Sequence, residues 1–118
     1  MIEVISKDKF KSEIFDFSVN KEWTFDKKTP VILNFFATWC GPCHRFAPTL
    51  EEIASEYDQS VKVYKIDIDQ DPEIAHLFGV QSVPTTLFLS PNEEPVMTNG
   101  ALMKEGVERA ITELFGIK

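Results

Sequence analysis

The period of the apolar positions changes several times along this chain, and each change marks an element. Ile2-Glu3-Val4-Ile5 alternates as a short edge strand does. Ser6 follows as a helix cap, and Phe10 and Ile14, with Phe15 or Phe17, fall on one helical face. Residues 16 to 30 lose that order: Asn20, Asp26, Lys27, Lys28 and Pro30 read as loop, with a strand fragment at Trp23-Thr24-Phe25. Val31-Ile32-Leu33-Asn34-Phe35-Phe36 is then almost continuously apolar, as in a strand covered on both faces. From Cys43 to Tyr57 the spacing of Phe46, Leu50, Ile53, Ala54 and Tyr57 is helical, and Pro48 inside it predicts a kink. Val61 to Ile68 reads as another strand, and Pro72 opens a short helix that Gly79 ends after Phe78. Thr85 to Leu89 is a strand, Pro91-Asn92-Glu93-Glu94 a turn, and Val96-Met97 its antiparallel return. The final helix spans Met103 to Phe115, with Val107, Ala110, Ile111 and Leu114 inward. The order β-α-β-α-β-α-β-β-α predicts an α/β sheet ending in a hairpin.

Composition narrows what such a sheet does. The 118 residues suit one domain, 1–118, without repeats or linkers; residues 16–30 are its least legible part. A hydrophobic fraction of 43%, with ten Phe, fills a core without a disulfide scaffold. The net charge of −7 argues against nucleic acid, whose binding requires a basic face, and against anionic lipid; no basic run exceeds Lys27-Lys28. No apolar stretch reaches the roughly 18 residues of a membrane span. The charged start, Met1 to Phe10, shows no signal peptide, which predicts a cytoplasmic protein, or a periplasmic one whose export signal has been removed.

The chemistry lies in the two cysteines, Cys40 and Cys43. A strand that reaches Cys40-Gly41-Pro42-Cys43 and continues as a helix puts Cys40 at a helix N-terminus. Unpaired backbone N–H groups and the positive end of the dipole there favour thiolate, the attacking species. Pro42 suits the first helical turn, and Gly41 lets another chain approach. Cys43, one turn in, is predicted to be shielded and less acidic. The pair then supports a two-step exchange: Cys40 attacks a partner disulfide, and Cys43 resolves the mixed disulfide. Three alternatives compete. A zinc site would need Cys40, Cys43, His44 and His76, but there is no second close-spaced ligand pair. A structural disulfide over so short a loop stabilises little. Two inert buried thiols leave the Gly-Pro insert unexplained.

Trp39-Cys40-Gly41-Pro42-Cys43 resembles the active-site motif of the thioredoxin family. Val83-Pro84-Thr85 resembles its cis-proline loop, Asn99-Gly100-Ala101-Leu102 the loop completing its substrate groove, and Lys65-Ile66-Asp67-Ile68-Asp69 its central strand and exit. The likeness covers nearly the whole chain and is weakest over residues 16 to 30. It implies the thioredoxin fold, a central mixed sheet flanked by helices, with a cis Val83–Pro84 bond against the sulfurs. It implies a flat apolar patch of Trp39, Gly41, Pro42, Val83, Pro84, Gly100 and Ala101 that docks protein disulfide substrates, the backbone at Val83 pairing with them as an added strand. It also implies a monomer that binds no cofactor or metal and is recycled by an NADPH-dependent thioredoxin reductase.

Asn34 departs from the family, which usually carries a buried Asp there that exchanges a proton with the resolving cysteine. Asn34 is then either a hydrogen-bonded core residue, with water moving the proton, or a change in the chemistry. Loss of a buried negative charge eases thiolate formation nearby, and Lys65, less compensated, adds to this unless its amine merely reaches water. A less negative reduction potential than in an Asp-bearing relative follows. His44 shares a helix face with Cys40, or is an exposed residue without a role; His76 has no assigned function. Asp67, Asp69 and Asp71 fail the calcium-loop pattern at Pro72 and Phe78. Trp23 and Phe25 are read as packing over the sheet edge, the alternative being a partner contact. Disulfide reduction is the leading function; oxidation or isomerisation in an oxidising compartment, and a non-redox binding module, are the alternatives.

Overall fold

The computed structural model describes residues 2–117; Met1 and Lys118, the ends of the predicted domain, lie outside them. The elements are β1 (Glu3–Val4), α1 (Lys7–Glu13), β2 (Val31–Phe36), α2 (Gly41–Glu56), β3 (Lys62–Asp67), α3 (Pro72–Phe78), β4 (Thr85–Leu89), β5 (Val96–Asn99) and α4 (Lys104–Phe115). The sheet order is β1-β3-β2-β4-β5. β1, β3 and β2 run parallel, and β4 and β5 pair antiparallel at the other side. This is the mixed sheet flanked by helices of the thioredoxin fold.

β2 organises both layers because alternate side chains point to opposite faces. Val31, Leu33 and Phe35 join a cluster with Phe10, Ile14 and Ile74 on one side. Ile32 joins Phe46, Leu50 and Ile53 of α2 and Val107 and Ile111 of α4 on the other. Local chemistry sets the helix ends. Ser6 Oγ accepts the Lys9 N–H at the start of α1. Gly79 ends α3 with φ 71°, a left-handed conformation that glycine adopts without a steric penalty.

Two boundaries differ from the periodic reading. α2 starts at Gly41, two residues before the apolar spacing becomes visible, because its first turn is fixed by Cys40 as cap and by Pro42. The helix continues through Pro48 to Glu56. Trp23-Thr24-Phe25 forms no strand. Its rings pack instead: Trp23 lies 4.9 Å from Phe15 and 5.5 Å from Phe78 between centroids, and stacks on Phe25 at 6.2 Å. The segment is tied to the β4–β5 turn, where Asn92 N–H donates to Phe25 O and Trp23 Nε1–H to Glu93 O. Aromatic burial, with one backbone hydrogen bond and one from the indole, takes the place of a ladder. Among the described residues no helix is long and apolar enough to cross a membrane.

Phe25 is 2% exposed and Val19 is 74% exposed. Phe25→Ala is therefore expected to lower stability by about 3–5 kcal/mol, and Val19→Ala to change it by less than about 0.5 kcal/mol. Urea unfolding of both variants measures this; equal midpoints would show that residues 16–30 do not belong to the core.

Candidate active site

β2 delivers the chain through Ala37-Thr38-Trp39 to Cys40, the N-cap of α2, with extended backbone at φ −91° and ψ 111°. Cys40 and Cys43 form a disulfide across a Cα–Cα distance of 5.3 Å. The Cys43 backbone N–H points at Cys40 Sγ from 3.2 Å. A sulfur therefore takes the capping position that an oxygen usually fills, at the positive end of a 16-residue helix. When the disulfide is reduced, that N–H and dipole favour negative charge on Cys40.

The cysteines are 4% and 5% exposed and pack with Ala37, beside Phe36, Ile68 and Val83. The Val83–Pro84 bond is cis, and Val83 O lies 3.7 Å from Cys40 Sγ. Gly100, at φ 87°, donates its N–H to Pro84 O at 2.7 Å, which brings the turn after β5 up to this loop. Of the seven residues expected in the apolar patch, Trp39, Gly41, Pro42 and Ala101 are exposed, and Val83 and Gly100 are half-buried. Pro84 is buried, so it supports the rim from below and does not form its surface. Trp39, 69% exposed, is held by an Nε1–H bond to Asp69 Oδ2 at 2.9 Å.

Beneath the site the register lines up Lys65, Asn34 and Thr86 across β3, β2 and β4. Directly opposed residues share a face of the sheet. Asn34 is 2% exposed and donates from Nδ2 to Thr86 Oγ1 at 3.3 Å. Lys65 Nζ sits 4.5 Å from the centroid of the Phe36 ring, whose edge of the site packs on the cysteines. Burial pulls the Lys65 ammonium below the usual lysine range, and Glu51 partly opposes this. Among the described residues every buried side-chain N or O has a hydrogen-bond partner.

Sequence reasoning did not foresee four placements. Asp69 anchors Trp39, Thr86 satisfies Asn34, His44 Nε2–H donates to Thr38 O at 2.7 Å, and Arg45 lies against Gly41. His44 is thus engaged with the loop before Cys40, and His76 is exposed on α3. Only Arg45 had a local signal, its four-residue spacing from Gly41. The aspartates serve separate partners: Asp67 accepts the Asp69 N–H, Asp69 the Trp39 indole, and Asp71 the Lys7 N–H. Among the described residues no group of three or more His, Cys, Asp or Glu is placed to hold a metal ion.

The depressed Lys65 pKa carries a sign. Between the lowered value and the ordinary lysine value of 10.5, the unfolded chain binds more protons than the folded one, so raising pH through this window stabilises the fold. Wild type should gain stability relative to Lys65→Met as pH rises from neutrality towards about 10. Denaturant midpoints of both proteins across that range test it; a gap that stays constant contradicts the lowering of the Lys65 pKa by burial.

The comparisons agree with this geometry. The thioredoxin family model matches residues 2–113. A thioredoxin of Borreliella burgdorferi is 36% identical over 112 residues, covering 95% of this chain and 96% of its own. Thioredoxin 1 of a Nostoc species is 34% identical over 94 residues, 80% of this chain and 88% of that one. The crystal structure of chloroplastic thioredoxin z superposes with a TM-score of 0.78 at 32% identity, covering 96% of this chain and 93% of that one. The chain belongs to the thioredoxin family, and it is a thiol–disulfide oxidoreductase that works through the Cys40–Cys43 pair.

Proposed function

We propose that this chain, as one domain and as a monomer, reduces disulfides in protein substrates, with Cys40 as nucleophile and Cys43 as resolving thiol. The observation that carries the reading is the Cys43 N–H aimed at Cys40 Sγ from 3.2 Å, at the start of α2. In the first step the Cys40 thiolate attacks one sulfur of the substrate disulfide; that bond breaks, and the other substrate sulfur leaves as thiolate. In the second step Cys43, having released its proton, attacks Cys40 Sγ. The mixed disulfide breaks, the second substrate sulfur leaves, and the Cys40–Cys43 disulfide is restored. Two electrons have passed to the substrate.

The rim residues supply docking. Trp39, Gly41, Pro42 and Ala101 offer exposed surface, and Val83 and Gly100 line its inner edge over Pro84. The backbone at Val83, beside Cys40 Sγ, pairs with an extended substrate segment, an arrangement that gives affinity through main-chain bonds. Asn34 cannot take a proton, so the Cys43 proton leaves to water, and position 34 itself places no negative charge beneath the thiolates. Lys65, half-buried over Phe36, adds positive potential below them.

The chemistry requires no cofactor beyond the disulfide itself. Thioredoxins are reduced by thioredoxin reductase; for this chain we infer an NADPH-dependent one, in a reducing cytoplasm where such a donor keeps thiols reduced. Gly41-Pro42 between the cysteines supports reduction over oxidation or isomerisation.

Two measurements test this reading. Cys43→Ser should accumulate mixed disulfides with proteins on Cys40, and Cys40→Ser should accumulate none and lose insulin reduction to the uncatalysed rate; trapping by the second variant and not the first would reverse the roles. Asn34→Asp should make the reduction potential more negative by about 30 mV for each unit by which the new carboxylate raises the cysteine pKa. An unchanged potential in glutathione buffers would remove Asn34 from the redox chemistry.

A further inference from the structure

Two charged side chains of opposite sign flank Cys40 along the chain, one hydrogen-bonded to Trp39 and the other lying close to Gly41. On the Trp39 side, the indole N–H holds the exposed Asp69 carboxylate at 2.9 Å. On the Gly41 side, the Arg45 guanidinium folds back one helical turn, so that a Cβ built on Gly41 would lie 3.4 Å from Arg45 Nη1. Arg45 is exposed, and among the described residues it makes no ion pair. Lys7, Lys9 and Lys104 are by contrast engaged with Glu73, with Glu3, and with Glu52 and Glu56. On a chain of net charge −7, the guanidinium beside the reacting cysteine runs against the overall sign.

We propose that Asp69 and Arg45 give the docking surface a charge direction, selecting disulfides in protein segments with a carboxylate over Gly41 and a cationic side chain near Trp39. The inference rests on the exchange reaction proposed above and names the substrate class of that same site. A guanidinium presents a planar fork of donors that fits a carboxylate in bidentate fashion, and its charge does not titrate. Gly41 is exposed and has no side chain, so a substrate segment crossing it passes within reach of that fork. At the other end, Asp69 repels a carboxylate and attracts an ammonium. The substrate class is therefore a disulfide whose two flanks carry opposite charges in one order. The effect is modest, because exposed ion pairs of this kind change an equilibrium or a rate by about two- to five-fold. It weakens with salt, because exposed charges are screened over about 10 Å at 0.1 M and about 3 Å at 1 M.

Three peptides with the same disulfide test this, with the attacked cysteine flanked by Glu and Lys, by Lys and Glu, or by Gln on both sides. The two charged peptides have the same net charge, so the field of the whole protein cancels from their comparison. Stopped-flow rates of the pre-reduced protein should differ about two- to five-fold between the charged peptides at low salt. The ratio should fall towards one at 1 M salt and in Arg45→Glu. Equal rates for the two charged peptides in the wild-type protein, or a ratio that survives in Arg45→Glu, would overturn the proposal while leaving the exchange reaction intact. Failure to reduce even the Gln-flanked peptide would instead overturn the exchange reading, and the proposal with it.

Discussion

One hydrogen-bond donor aimed at one sulfur organises this molecule. Helix α2 begins where the chain leaves β2, and its first orphan N–H groups require an acceptor. Cys40 Sγ provides it to the Cys43 N–H at 3.2 Å. The same contact caps the helix and favours negative charge on Cys40 Sγ, so the start of the fold's longest helix and the chemistry proposed for the site have one origin. The rest of the architecture serves to hold that junction still. β2 is buried on both faces, which fixes the strand that feeds the loop; Phe46, Leu50 and Ile53 clamp α2 on the sheet.

The second layer of control runs across the sheet beneath the disulfide. Lys65, Asn34 and Thr86 are register neighbours, and among them there is a cation and two neutral polar groups but no carboxylate. A neutral amide satisfied by a hydroxyl holds its place without opposing thiolate formation above it. The lysine has its ammonium over the Phe36 ring, with Glu51 as the opposing charge that acts on it. In the function proposed above, Lys65 and Asn34 act on the thiolates from beneath, while the rim, with Asp69 at Trp39 and Arg45 at Gly41, acts on what approaches from outside.

Features decided by neighbours in sequence were legible before any coordinates: the Ser6 cap, the Gly79 stop, the doubly buried run Val31 to Phe36, and the paired cysteines. In each case the physics is complete within a few residues. At Trp23-Thr24-Phe25 the packing of the two rings was legible but the backbone was not, because aromatic residues suit a strand and a packed loop equally well, and the choice was made by Phe15 and Phe78. The start of α2 is silent in the apolar periodicity, which begins only at Cys43, but the passage through Cys40 and Pro42 already placed it. The partners of Trp39 and Asn34 lie 30 and 52 positions away, and no local pattern points across such distances.

The central claim is that the N-terminus of α2 holds the Cys40 sulfur ionised. It is tested most directly by titrating the reduced protein, following thiolate absorbance alongside the alkylation rate of each cysteine by mass spectrometry. The account predicts that Cys40 ionises well below the free-cysteine pKa of about 8.5, and that Cys43 ionises after it. A Cys40 that titrates at or above that value, or a Cys43 that ionises first, would contradict it.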